Sequence, residues 1–117
     1  FFAGWSLVLA AFLTGACIGF FFHRPDFWGG YASFRRRIVR LGHIALAALG
    51  MMNVLFALCP WPAAHSWNGI WASRLWLLGA VTMPAVCFLT GWREAFRNLF
   101  FVPVAALVSA VVLTLIA

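Results

Sequence analysis

His43 is the residue of this chain best suited to chemistry, because it is the one histidine set inside an apolar stretch and imidazole can ligate iron, carry a proton or hold a hydrogen bond. On a helix turning about 100° per residue, Ala47 and Gly50 lie within about 40° of it, so it shares a face with small side chains. A flat macrocycle needs that kind of clearance. Haem b or a chlorophyll-type pigment would take the imidazole as an axial ligand. Arg36 and Arg40, one or two turns away on roughly the same side, would then pair with propionates or with lipid phosphates. The competing reading is structural: the small face receives another helix, and His43 bonds a carbonyl, a phosphate or a partner chain. A six-coordinate haem also needs a second ligand. Met51, Met52 and Met83 are available, but a histidine of another subunit serves better.

Other polar residues point to packing. Asn53 sits about 80° from the His43 face near midspan, where a side-chain amide bonds between helices. Arg74 falls just inside a span and is expected to snorkel outward, with an anion contact as its functional alternative. His23 and His65 are loop residues without metal-ligand spacing. Cys17, Cys59 and Cys87 form no CxxC or CxxCH and are expected to be unpaired packing residues. Ala11, Gly15 and Gly19, at intervals of four, predict a groove for close helix approach. The tetrapeptide Phe12-Leu13-Thr14-Gly15 recurs as Phe88-Leu89-Thr90-Gly91, but the flanking residues do not follow, and the repeat reads as chance.

These residues are carried by four apolar stretches, 2–22, 38–58, 70–89 and 99–117, each near the roughly 20 residues that a helix needs to cross hydrocarbon. Apolar residues make up 66% of the chain and charged ones 9%, which excludes an ordinary soluble domain. Strict alternation of polar and apolar residues, the mark of a membrane barrel, is absent. The predicted fold is all-α: a polytopic integral membrane protein, one domain over 1–117, with four transmembrane helices in an antiparallel bundle. Pro84 is expected to kink the third span, while Pro103 falls in the first turns of the fourth, where a missing donor matters least. The fourth span, with Ser109 and Thr114 as its polar side chains, reads as a wall facing lipid or a subunit.

Arginine placement predicts orientation. Arg24, Arg35, Arg36, Arg37 and Arg40 lie in or beside the connection 23–37, and Arg93 and Arg97 in 91–98, which places both connections in the cytoplasm and both termini outside. The loop with Pro60 and Pro62 then lies outside. Trp5, Trp61, Trp67 and Trp71 mark the outer interface, and Trp28 and Trp92 the inner one. The chain starts at Phe1, and its first span reads as a retained helix rather than a cleaved leader. The net charge of +6 is explained by topology and by contact with anionic lipids, not by nucleic acid.

Function is less legible. The first span lacks the membrane-embedded acid of small multidrug transporters, fluoride-channel pore signatures are missing, and no CxxC supports thiol-redox chemistry of the vitamin K reductase kind. In architecture, a compact four-helix anchor with one intramembrane histidine resembles the haem-binding anchors of respiratory dehydrogenases, which implies a haem at His43. The leading expectation is a non-enzymatic accessory subunit of a larger complex in a bacterial inner membrane, an electron-transfer complex, respiratory or photosynthetic. Other membrane subunits and lipids would be its partners. The alternatives are a cofactor-carrying subunit with His43 as ligand, and a small oligomeric transporter or channel with Arg74 or His43 on its path.

Overall fold

The computed structural model describes residues 1–59 and 66–116; the expected outer loop with Pro60, Trp61, Pro62 and His65, and the final Ala117, lie outside the described residues. Within them the chain is all-α, with helices α1 (Phe2–Phe22), α2 (Phe34–Leu58), α3 (Trp67–Trp92) and α4 (Phe101–Ile116). Short 3-10 segments, Phe27–Gly29 and Glu94–Phe100, precede α2 and α4. All four helices, the last counted from Glu94, are long and apolar enough to cross a membrane. Large apolar side chains are exposed along each of them, as hydrocarbon permits and water does not.

Hydropathy misplaced several ends, because hydrogen bonding rather than side-chain polarity decides where a helix starts. α2 begins at Phe34 instead of 38, since Ser33 caps it by accepting from the Arg36 backbone N–H at 3.3 Å. Three arginines assigned to a connection are therefore helical. Ser66 caps α3 in the same way, accepting from Gly69 at 3.1 Å, and this helix runs from Trp67 to Trp92 rather than 70–89. It continues through a buried Pro84 as one helix. The fourth span opens as a 3-10 segment and becomes α-helical at Phe101, with Pro103 in the first turn as expected.

The bundle is open. α1 packs on α2, α2 on α3 and α3 on α4, whereas α1 meets α3 only marginally and does not pack on α4. Principal extents of 52 × 27 × 15 Å describe a row one helix deep. Its 27 Å width is what three neighbouring spacings of about 8–10 Å produce. Register confirms antiparallel neighbours: Gly4 lies against Gly50 and Gly15 against His43, while Gly42 meets Cys87 and Gly91 meets Val39.

Glycines set how closely the helices approach. A Cβ on Gly4 would stand 2.7 Å from the Gly50 carbonyl oxygen and 2.9 Å from the Val54 nitrogen, so backbone meets backbone there. A Cβ on Gly42 would stand 2.8 Å from that of Cys87, and one on Gly79 would overlap the Leu107 side chain. The expected Ala11–Gly15–Gly19 groove needs correction. Ala11 is buried and Gly15 rests on His43, but Gly19 has open space beside it. Steps of four drift about 40° each, which carries Gly19 off the contact, whereas Gly4, Ala11 and Gly15 stay within about 40° of one another.

Replacing Gly4 by Leu should therefore lower stability by about 1–3 kcal/mol, the usual penalty of overpacking. Leu at Gly19 should stay within about 0.5 kcal/mol of the parent. Unfolding in mixed micelles of increasing dodecyl sulfate content measures both; equal losses at the two sites would contradict the packing described.

Candidate functional site

Arg36 is the most deeply buried charge, at 1% exposure. Its Nε donates to the Phe27 carbonyl at 2.6 Å, Nη1 to Phe22 at 3.2 Å, and Nη2 to Arg24. The guanidinium carbon also stands over the Phe22 and Phe27 rings, 5.1 and 5.8 Å from their centroids. Phe22 ends α1, whose last turn has no basic residue of its own. Arg36 supplies that cation from the neighbouring helix, against the negative end of the α1 dipole. It also leaves the α2 N-terminus, where a positive charge is unfavourable by about 0.3–1 kcal/mol. Hydrogen bonds to a charged group contribute roughly 1.5–3 kcal/mol each, so three outweigh that local conflict.

The connection is wrapped around this guanidinium. Trp28 adopts a left-handed conformation at φ 51°, and Gly29 and Gly30 follow at 85° and 92°. A left-handed tryptophan is strained by roughly 1–2 kcal/mol, and the two glycines complete the reversal without further strain. Gly29 donates to Asp26 and Gly30 to Phe27 as the chain turns back toward Ser33. Where the sequence suggested a propionate or lipid phosphate partner for Arg36, each of its three guanidinium nitrogens donates to a backbone carbonyl of α1 or the connection. Arg40 is tied to the same connection, bonding the Tyr31 carbonyl at 3.1 Å with its charge 4.3 Å from the Tyr31 ring centre. Arg24, Arg35, Arg37, Arg93 and Arg97 remain exposed at this end.

His43 lies deeper on the α1-facing side of α2. Its Nδ1 is 3.2 Å from the Thr14 hydroxyl, which itself reaches the Ala10 carbonyl at 2.9 Å. With the hydroxyl proton donated to Ala10, Nδ1–H donates to Thr14 and Nε2 is left as an acceptor. The clearance expected beside His43 is filled: a Cβ on Gly15 would stand 2.8 Å from the imidazole Cε1, and Gly50 packs on Gly4, Leu7 and Val8. A macrocycle on that face would displace α1. Both tetrapeptide copies flank α2, with Gly15 on His43 and Gly91 on Val39 and Ile38. Their threonines differ, since the fully buried Thr90 hydroxyl lacks a partner.

A second polar chain joins α2, α3 and α4. Asn53 Nδ2 donates to Leu49 at 2.9 Å and across to the Trp76 carbonyl at 3.4 Å, the interhelical role its midspan position suggested. The buried Trp76 indole N–H donates to the Thr114 hydroxyl at 3.2 Å, and Thr114 to the Ala110 carbonyl at 2.7 Å. Trp76 was not singled out in sequence, and Thr114 was read there only as a polar side chain on a lipid- or subunit-facing wall, because nothing local shows that the two meet across α3 and α4. Arg74 is exposed with its charge 5.3 Å from the Trp71 ring centre, as snorkelling requires. All three cysteines are free, and only Cys87 is buried.

Among the described residues no three His, Cys, Asp or Glu side chains converge as a metal site. No family model, curated protein or solved structure matches the chain. What the fold and its internal bonding define is a helical membrane protein whose intramembrane polar groups set helix register.

Replacing Arg36 by Met would remove three side-chain hydrogen bonds, leaving the Arg24 and Phe27 carbonyls with one backbone donor each, and Lys would not rescue it, because a point donor does not reproduce the planar fork. Either variant should speed chymotryptic cleavage after Tyr31, in the same connection, and hydrogen exchange at Gly30, whereas Arg37→Gln should match the parent. Unchanged cleavage and exchange in Arg36→Met would show that the connection holds itself.

Proposed function

We propose that the chain is a non-catalytic membrane subunit that packs within a larger bacterial complex. The observation that carries this reading is the open row: α1 and α4 do not pack on each other, and large apolar side chains are exposed along every helix. His43, Asn53, Trp76 and Thr114 are engaged inside it. A transporter would be expected to turn polar groups toward a path, and here those four are turned toward neighbouring helices. The α4 surface around Leu107, Val108, Val111 and Val112 is apolar and suits a further helix or lipid. An electron-transfer complex is the setting that the sequence favours. In this reading the arginine-rich end is cytoplasmic and meets anionic lipid.

Extraction from the native membrane in mild detergent, followed by mass analysis of the intact assembly, tests the proposal. Stoichiometric recovery with other membrane polypeptides is the expected result, and redox cofactors among them would support the electron-transfer setting. Recovery as a lone oligomer that moves a solute in liposomes would replace it with the transporter reading. Loss of a visible absorption band in an assembled His43→Ala variant would instead restore the histidine as a cofactor ligand.

A further inference from the structure

We propose that a groove at the arginine-rich end, between α1, the 23–33 connection and α2, binds one anionic phospholipid. It rests only on the membrane placement of the helices and is independent of which partners the chain has. The groove holds about 340 Å³ and is lined by Cys17, Ile18, Phe21, Phe27, Trp28 and Val39, among other apolar side chains. One wall is a run of rings: Phe21 stacks on Phe27 at 5.7 Å between centroids, and Phe27 on Trp28 at 5.0 Å, each pair tilted by 20°. The left-handed backbone of Trp28 is what accompanies this stacking, and Arg36 holds the connection in place beneath it. Strain kept by surrounding contacts is a reason to look for a bound group.

Water gains nothing from such walls, whereas an acyl chain does. The headgroup preference follows from charge. Arg35 lies one turn before Val39 on the same side of α2, and Arg24 follows two residues after Phe22; both are exposed. A phosphate anchored above the groove meets them, while a zwitterionic headgroup offsets their attraction with its own cation. Free phosphate would use the arginines but not the groove.

The test is native mass spectrometry of the full chain in mild detergent, given equal amounts of phosphatidylglycerol and phosphatidylcholine with identical acyl chains. The parent should retain a single phosphatidylglycerol in preference. Arg35→Gln should lower that preference about fivefold. Cys17→Phe, which adds a ring to the groove from an exposed position, should abolish retention of either lipid. A wild-type measurement guards against misfolding of the variants: alkylation of Cys17 by a maleimide should slow when phosphatidylglycerol is added, with exposed Cys59 as the internal reference. Indiscriminate binding of both lipids, or alkylation of Cys17 unaffected by phosphatidylglycerol, would overturn the proposal.

Discussion

Hydrocarbon offers no hydrogen-bond partner, so a polar atom carried into the membrane is costly unless it finds one within the protein, and among the described buried side chains Thr90 is the exception. Helices meet that demand for the backbone. The side chains meet it across helix boundaries: His43 with Thr14 between α2 and α1, Asn53 with the Trp76 carbonyl between α2 and α3, and Trp76 with Thr114 between α3 and α4. Each of the three interfaces thus contains at least one polar contact as well as apolar packing. Such contacts are worth about 0.6 kcal/mol on average in membranes, so their main effect is to select one register rather than to hold the helices together.

Close approach supplies the rest. Lipid tails are as apolar as leucine, and burying apolar side chains between helices gains little by itself. Contact must come from dispersion over short distances, and glycine permits those distances. Gly4 and Gly50 bring the α1 and α2 backbones together, Gly42 opens α2 to Cys87, and Gly79 admits Leu107. α3 is the most buried of the four spans, because it is an inner member of the row and carries small or buried residues on two sides.

The arginine-rich end follows different rules, because there the chain must turn in an interface while holding several positive charges. Arg36 reconciles these demands. Its guanidinium leaves a helix N-terminus that disfavours it, reaches a helix C-terminus that favours it, and adds a charged donor to the carbonyls of Phe22, Arg24 and Phe27. The remaining arginines can then stay exposed to headgroups. One residue thereby couples the folding of the connection to the α1–α2 contact.

Four spans, their number of crossings and the clustering of arginine at one end were legible in sequence, because each is a one-dimensional consequence of transfer energetics. Asn53 was legible too, since an amide at midspan has few alternatives to bonding another helix. The commitments of Arg36 were not, because a run of arginines at 35–37 looks uniform until the α1 terminus is brought against one of them. Nor was the fate of the His43 face: small residues at 47 and 50 permit either a macrocycle or a helix, and α1 occupies that place. Only tertiary packing decided that the helices form an open row, since the pattern of apolar residues in a lipid-exposed span is nearly the same on every side. Helical period determined which glycines a neighbour would meet, and the crossing of α1 over α2 selected Gly4 and Gly15 and released Gly19.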